Sequence, residues 1–271
     1  MGHAPGRRAR PHFLGAHKLA AVRRTSAAVL LLGLLVLVQS SRAANPEVSG
    51  AGPTRTVQAA TSTGRQGTYY LPRDHESRAL PLLVFLHGTG GKGSLAILRL
   101  QAQAEREGFI ALAPDSVSVA GVWMVGQRPG ETTEDRRHVM ACVREILEVP
   151  GVRIDPTHVL AAGFSVGGNA AAHLATHEAM FTDLAVLHGH IALETIGAGR
   201  PRTWVSAGAR DRVRTVEHMR VVAEHLGQRG FRNVALRVFQ ADHTLKDEEL
   251  TGLIAWWLGR HPRDPANRLR P

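Results

Sequence analysis

Residues 158–177 read HVLAAGFSVGGNAAAHLATH, and this stretch decides the fold. A short β-rich run, His158 to Ala162, is followed by Gly163-Phe164-Ser165-Val166-Gly167 and then by an Ala-rich helical run. In this G-x-S-x-G pattern a strand turns sharply into a helix and leaves the serine hydroxyl exposed above the sheet. Glycine is needed two residues before and two after the serine, because strand and helix backbones pass too close for side chains. The motif alone arises by chance, so its context has to support it.

Further apolar runs alternate with helical periodicities on both sides of this stretch. The predicted strands are Leu80 to Leu86, Phe109 to Ala113, His158 to Ala162, Leu184 to Leu187, Thr203 to Ala207 and Val234 to Phe239. The predicted helices are Leu95 to Glu107, Thr133 to Glu148, Gly168 to Thr176, Thr215 to Arg229 and Lys246 to Leu258. Two antiparallel strands are expected at the start, around Thr54 to Ala59 and at Thr68 to Leu71. This alternation predicts an α/β fold, a mostly parallel central sheet with helices on both faces.

Ligands of such a sheet bind beyond the carboxyl ends of its strands, so the residues after each run are the candidates for a site. The first long strand ends at Leu86 and runs into His87-Gly88-Thr89-Gly90-Gly91. A glycine-rich loop there can point backbone N–H groups at a developing negative charge. We predict an oxyanion hole made of the N–H groups of Thr89 and Val166. His87 is expected to hydrogen-bond the loop rather than act as a base.

The last two predicted strands are each followed by a titratable residue. Asp211 lies in the loop after the first of them, and His243 lies in the loop after the second. The order Ser165, Asp211, His243 is that of a nucleophile, an acid and a base in this type of sheet. Asp242 is a competitor for the acid role, but adjacent residues at a strand end project in opposite directions, which favours Asp211.

Four motifs together resemble those of α/β-hydrolases, in the esterase group that includes polyhydroxybutyrate-depolymerase-like, feruloyl-esterase-like and small carboxylesterase proteins. They are PLLVFLHGTGG (Pro81 to Gly91), IDPTHVLAAGFSVGGNAA (Ile154 to Ala171), SAGARDRV (Ser206 to Val213) and ADHTLKDEEL (Ala241 to Leu250). The resemblance implies an α/β-hydrolase fold and catalysis by Ser165, Asp211 and His243. Thr89 stands where the depolymerases often have a cysteine, which leaves a polyester substrate in doubt. The connection from Ile191 to Pro201 is short, so little or no lid is expected.

The resemblance predicts an enzyme that cleaves carboxylic esters, either small molecules or accessible ends of a polymer, without a cofactor. A serine peptidase or a thioesterase would use the same residues, and a non-catalytic binding protein could share the fold. Trp123, which follows a strand end, is a candidate wall of the acyl pocket. His188-Gly-His190 and His173-x-x-x-His177 have spacings that could ligate zinc, but no carboxylate or cysteine cluster accompanies them, so no metal is predicted.

Charge suggests a compartment rather than a nucleic-acid partner. Of the 33 Lys and Arg residues, 7 lie in residues 1–44, which hold no acid. The remainder has 26 bases against 23 acids, so the chain's net charge of +10 falls to +3. Residues 27–38 read AAVLLLGLLVLV after Arg23 and Arg24, the layout of a cleaved signal peptide ending near Ala43 or Ala44. We expect an exported protein that meets a membrane only through this signal, and no nucleic-acid partner.

The predicted organisation has four parts. Residues 1–44 are a signal peptide, 45–62 an N-terminal linker or edge strand, 63–260 an α/β-hydrolase domain, and 261–271 a C-terminal tail. Either Sec or twin-arginine export fits the leader. The single cysteine, Cys142, follows the buried spacing of a helix and is read as a core residue. The oligomeric state is not predicted.

Overall fold

A computed structural model of the protein describes residues 54–57, 65–118, 120–125 and 131–259. All of these residues fall in one compact unit, Pro46–Pro271. The predicted signal peptide and C-terminal tail lie outside the described residues, as does most of the predicted 45–62 segment.

Eight strands form a single sheet in the described part of the chain. They are β1 (Thr54–Val57), β2 (Gly67–Tyr70), β3 (Leu80–Leu86), β4 (Ile110–Pro114), β5 (Ile154–Phe164), β6 (Asp183–Leu187), β7 (Arg202–Gly208) and β8 (Arg232–Phe239). Their order across the sheet is β1-β2-β4-β3-β5-β6-β7-β8. β1 pairs antiparallel with β2 and β2 antiparallel with β4, and the remaining neighbours are parallel. The predicted mostly parallel sheet and its two antiparallel strands are confirmed.

Helices cover both faces of this sheet, which is why its central strands are apolar throughout rather than alternating. In β3, Leu82, Val84 and Leu86 belong to one core, whereas Leu83 and Phe85 belong to the other. The first core includes side chains of α2 (Glu134–Leu147), α3 (Val166–His177) and α4 (Val216–Gln228). The second includes side chains of α1 (Gly93–Glu107) and α5 (Asp247–Trp257).

The ends of the helices are set by local chemistry. The hydroxyl of Thr133 accepts a hydrogen bond from the Arg136 N–H, and the hydroxyl of Thr215 accepts one from the His218 N–H. Each bond satisfies an N–H group that the first helical turn leaves free. Gly108 ends α1 with a φ of 72°, a conformation that glycine adopts without strain. Each of the five predicted helices begins and ends within two residues of the observed bounds.

The connection between β6 and β7 forms no lid. Residues 191–201 contain no helix or strand and are tied to α3. The Ala192 N–H donates to Asn169 Oδ1 at 2.8 Å, and the Gly197 N–H donates to Thr176 Oγ1 at 2.9 Å. The open arrangement expected from the short loop is what the structure has. Among the described residues, no helix is both long enough and apolar enough to cross a membrane.

Candidate active site

Ser165 lies at the turn between β5 and α3, in a backbone conformation that most residues avoid. Its φ is 55° and its ψ is −120°. Positive φ is uncommon outside glycine, and such strain persists only where the surroundings hold it. Here the Ser165 N–H donates to the Leu187 carbonyl at 2.9 Å, and the Gly168 N–H donates to the Ser165 carbonyl at 3.0 Å. The serine is thus held above the end of the sheet, as the motif predicts.

The glycines of the motif are required by close backbone contacts. A Cβ on Gly163 would lie 2.0 Å from the Gly167 carbonyl oxygen, and one on Gly167 would lie 2.1 Å from the Leu86 carbonyl oxygen. Both distances are far below van der Waals contact, and the atoms met are backbone atoms that cannot rotate away. The expected reason for the two glycines is therefore the observed one, and Gly167 also packs the start of α3 against the end of β3.

Side chains from three separate connections meet at this edge of the sheet. Nε2 of His243, in the loop after β8, lies 3.0 Å from the Ser165 hydroxyl oxygen. Its Nδ1 lies 2.8 Å from Oδ2 of Asp211, which follows β7. A neutral ring with its proton on Nδ1 donates to the carboxylate and accepts from the serine hydroxyl. The structure thus brings together the three residues predicted as nucleophile, base and acid, in the geometry that proton transfer from the serine requires.

Asp211 is held by four hydrogen bonds in a fully buried position. The N–H groups of Val213 and Arg214 donate to Oδ1, each at 2.8 Å. His243 and a second histidine, His188, bind Oδ2 at 2.8 and 2.9 Å. Burial alone would raise the pKa of Asp211, but the Arg214 N–H, the two imidazoles and the Val213 N–H together hold the pKa below its usual value. The carboxylate is therefore ionised and fixed in direction.

Asp242, the competing acid, has a different environment. Its Oδ1 accepts a hydrogen bond from the Thr244 hydroxyl at 2.5 Å, and its carboxyl group is fully exposed. An exposed carboxylate turned toward a threonine is not placed to orient an imidazole. The geometry places Asp211, and not Asp242, against Nδ1 of His243.

The glycine-rich loop after β3 lies directly against the serine. A Cβ on Gly88 would be 3.5 Å from the Ser165 Cβ. The loop turns tightly, with the Gly91 N–H donating to the Gly88 carbonyl at 3.0 Å. None of the loop and cap hydrogen bonds among the described residues uses the N–H of Thr89 or Val166. Both predicted donors, one in the loop and one at the start of α3, are therefore available to bind an oxyanion.

His87 supports this loop from beneath and does not act on the serine. Its Nδ1–H donates to the Gly88 carbonyl at 2.8 Å, and its Nε2 accepts from the Ser116 N–H at 3.2 Å. Burial lowers the pKa of His87, which keeps the ring neutral and preserves both bonds. The expectation that His87 hydrogen-bonds the loop it opens is met.

Trp123 lies against His87, at the base of the glycine-rich loop. Its Nε1–H donates to the His87 carbonyl at 2.7 Å, and its ring packs on the His87 ring at 4.9 Å between centroids. The indole is buried, and the His87 carbonyl supplies the acceptor that a buried indole N–H needs. The described residues that line the cleft beside His243 do not include Trp123. In this structure Trp123 supports the oxyanion loop and does not form a wall of that cleft.

That cleft has a volume of about 320 Å³ and opens beside His243, Gly88 and Phe164. Most of its other lining side chains are apolar: Phe85, Leu95, Ala96, Leu100, Leu245 and Leu250. Lys92 and Arg99 also line it. Arg99 is already bound to the Leu245 carbonyl and to Asp247. A cleft of this size and composition accommodates a small apolar group next to the base.

Sequence reasoning missed the role of His188 and did not single out Glu249. Nδ1 of His188 binds Asp211, and its Nε2 lies 3.2 Å from Glu249 Oε2 in α5. Glu249 also accepts a hydrogen bond from the Ser206 hydroxyl. His188 directly follows an apolar strand, so the rule that site residues follow strand ends could have identified it. Glu249 lies in the charged run Lys-Asp-Glu-Glu, where nothing in the sequence separates a buried carboxylate from exposed ones.

One group of described residues has histidine and carboxylate atoms close enough to bind a cation. His188, Asp211 and His243 have such atoms within 4.8 Å of one another. Every one of these atoms already takes part in a hydrogen bond within the group or with Ser165 or Glu249. We therefore assign none of the three as a metal ligand.

Comparison with known proteins supports the fold. No protein-family model matches the chain. A curated protein named "Putative esterase NocK", from Nocardia uniformis subsp. tsuyamanensis, is 31% identical over 156 residues, which are 52% of this chain and 43% of that protein. The chain thus matches less than half the length of this relative.

Solved structures align over more of the chain. The fluorophosphonate-binding serine hydrolase FphF of Staphylococcus aureus has a TM-score of 0.59 and 13% identity, covering 77% of this chain and 99% of its own. Esterase 2 of Thermogutta terrifontis has a TM-score of 0.57 and 17% identity, covering 81% and 98%. The carboxylesterase of Bacillus cereus has a TM-score of 0.53 and 20% identity, covering 73% and 95%. The chain has the α/β-hydrolase fold, as predicted.

Proposed function

We propose that the protein is a serine esterase that hydrolyses carboxylic esters through an acyl-enzyme intermediate. The observation that carries the proposal is the continuous hydrogen-bonded path from the Ser165 hydroxyl through His243 to Asp211, with links of 3.0 and 2.8 Å. The strained turn at the serine and the adjacent glycine-rich loop supply the other two parts that acyl transfer needs. The esterase names of the curated relative and of several structural neighbours favour esters as substrates.

In the first step Nε2 of His243 takes the hydroxyl proton while the Ser165 oxygen attacks the ester carbonyl. The N–H groups of Thr89 and Val166 stabilise the oxyanion of the tetrahedral intermediate. Asp211 holds the Nδ1 proton in place and stabilises the imidazolium that forms. His243 then gives its proton to the departing alcohol, and the same ring activates water to hydrolyse the acyl-enzyme.

The substrate we propose is a small ester with an apolar group on one side of the carbonyl. The cleft beside His243 is about 320 Å³, at the small end of the range for ligand pockets, roughly 300–1,000 Å³. Its apolar walls favour an alkyl or aryl group over a charged one. Accessible ester ends of a polymer fit the open site as well, so a relation to the polyhydroxybutyrate depolymerases stays a prediction.

A comparison of the wild type with Ser165→Ala on short p-nitrophenyl esters tests the proposal. Loss of the nucleophile should lower kcat by more than about 10³-fold. Ser77→Ala is the matched control, because Ser77 is an exposed turn residue whose hydroxyl donates to the Asp74 carbonyl. It should hydrolyse the esters at the wild-type rate. Equal rates for Ser165→Ala and the wild type would refute the esterase proposal.

Labelling and alternative substrates separate the remaining possibilities. A fluorophosphonate probe should label the wild type and leave Ser165→Ala unlabelled, whereas a binding protein without turnover would stay unlabelled in both forms. Amide and thioester substrates with the same acyl group as the ester compare the leaving groups. A higher kcat/KM on either than on the ester would favour a peptidase or a thioesterase.

We also propose that the protein is exported and that residues 1–44 are removed on export. The support is the order of Arg23 and Arg24, the apolar run at 27–38 and the small residues up to Ala44. The mass of the form found outside the cytoplasm should correspond to a chain that begins near Ala44. A full-length chain in that fraction would contradict the proposal.

A further inference from the structure

His188 is a buried histidine outside the proposed triad, and both of its ring nitrogens face carboxylates. Nδ1 lies 2.9 Å from Asp211 Oδ2 and Nε2 lies 3.2 Å from Glu249 Oε2, and all three side chains are fully buried. The second oxygen of Glu249 accepts from the Ser206 hydroxyl. A continuous chain of hydrogen bonds therefore runs from His243 through Asp211 and His188 to the first turn of α5.

The backbone holds this imidazole in place. His188 has a φ of 47°, a value that is uncommon for residues other than glycine. Its N–H donates to the Ser206 carbonyl at 3.1 Å. Gly208 leaves room for the ring, since a Cβ at that position would lie 2.9 Å from His188 Cε1. Strain that the surroundings maintain at such a position is typical of functional sites.

The hydrogen bonds fix the protonation of the ring. An ionised carboxylate can only accept, so a histidine between two carboxylates must donate from both nitrogens and carry a positive charge. Burial by itself would lower the pKa of His188, but hydrogen bonding and charge attraction from Glu249, followed by those from Asp211, raise the pKa. The two facing carboxylates and the raised pKa both favour the imidazolium form of His188.

The charge of His188 balances the site during the reaction. The titratable groups facing it are Asp211 after β7, Glu249 on α5 and His243 after β8, whose ring centroid is 6.1 Å away. With His243 neutral, these four groups carry a net charge of −1. When His243 takes a proton, the two imidazolium ions and the two carboxylates balance. Without the positive charge of His188, the two buried carboxylates would be offset by no cation in this group while His243 is neutral.

We propose that His188 is a positioning residue of the esterase site. As a buried imidazolium it fixes the Asp211 carboxylate toward His243 and offsets the charge of that carboxylate. This inference rests on the proposed function only where it concerns hydrolysis. The protonation of His188 is a separate property of the folded protein.

Nuclear magnetic resonance of protein labelled with ¹⁵N-histidine tests that protonation directly, since protonated and unprotonated ring nitrogens have well separated shifts. Both nitrogens of His188 should be protonated at pH 7. The signals are assigned by their loss in His188→Gln, or by their displacement in Glu249→Gln if the first variant does not fold. An unprotonated ring nitrogen on His188 at pH 7 overturns the proposal, whether or not the protein hydrolyses esters.

The pH profile of kcat/KM tests the effect on His243. At 6.1 Å, and with an effective dielectric constant of about 20 to 40, loss of a unit positive charge should move the acid limb upward by about one to two pH units in His188→Gln. His138→Gln is the matched control, because His138 is equally buried but faces the Gln66 carbonyl at 3.3 Å. Its acid limb should stay at the wild-type pH.

The resonance and pH-profile experiments together separate the positioning role of His188 from the proposed esterase function. A limb in His188→Gln that stays at the wild-type pH, with only a uniform loss of rate like that of the control, overturns the positioning role. A wild-type protein that hydrolyses no ester and takes no fluorophosphonate label refutes the esterase function instead, and the ring protonation then decides the inference about His188 by itself.

Discussion

Replacement of Asp211 by asparagine tests the centre of the site, because the carboxylate accepts from four donors at once. Two are the N–H groups of Val213 and Arg214 on Oδ1, and two are the imidazoles of His243 and His188 on Oδ2. Asparagine has the same shape but only one acceptor oxygen, and its NH₂ group can only donate. Whichever way the amide turns, its NH₂ group faces two of these donors, and if they are the imidazoles, the His243 ring can relieve its clash by changing tautomer.

The size of the effect follows from this count. An unsatisfied buried donor costs about 1–3 kcal/mol, so Asp211→Asn should lower the free energy of unfolding by about 2–6 kcal/mol. If the amide NH₂ faces His243, the ring takes the tautomer that cannot accept the serine proton. In a serine protease of another fold that change lowers kcat by about 10⁴-fold, and we expect at least about 10³-fold here. The assays are urea unfolding and p-nitrophenyl ester hydrolysis.

Asp242→Asn is the control, since it makes the same chemical change one residue before His243 at an exposed position. Its stability should stay within about 0.5 kcal/mol of the wild type, and its kcat should be close to that of the wild type. The reasoning fails if Asp211→Asn keeps more than a tenth of wild-type kcat, or if Asp242→Asn is the more damaging of the two.

Two further predictions concern packing. Gly167→Ala should abolish ester hydrolysis or folding, because the new Cβ would meet the Leu86 carbonyl oxygen at 2.1 Å; Gly227→Ala, in α4 with nothing within 4 Å, should retain wild-type activity. A Gly167→Ala enzyme with normal kcat would contradict the close approach of α3 to β3. Burial raises the pKa of Cys142 to about 12, so a thiol reagent at pH 8 should modify this single cysteine only after unfolding. Stoichiometric labelling of the native protein would show that Cys142 is accessible.

The sequence was informative wherever the controlling contacts are local. Thr133 and Thr215 cap their helices through bonds to N–H groups three residues ahead, so the ends of α2 and α4 can be read from neighbouring residues. β3 was located to the residue, and its apolar run ends where His87 and Gly88 follow. The start of α3 was placed two residues late, since a helix beginning directly after the strained Ser165 leaves no separate sequence signal.

Candidate site residues at the ends of strands could also be identified from the sequence, but their hydrogen-bond partners could not. Parallel strands bring their carboxyl ends to one edge, so Asp211 and His243 could be assigned from position alone. Trp123 also follows a strand, and the same reasoning put it in the acyl pocket. That placement stays a prediction, and the sequence did not reveal that the indole N–H donates to the His87 carbonyl, the acceptor that a buried N–H needs.

By itself, the sequence determined the α/β fold, the sharp turn at Ser165 and the order of the three predicted catalytic residues, because periodicity, glycine spacing and strand ends are short-range properties of a chain. Only the tertiary structure decided that one oxygen of Asp211 binds two imidazoles, and that His188 joins Asp211 to Glu249 in α5. These contacts depend on the directions of the side chains and on the exclusion of water from the space between them. His188 and Glu249, for example, are 61 positions apart in the sequence. A buried charge can exist only where such partners converge, and that convergence is a property of the folded chain.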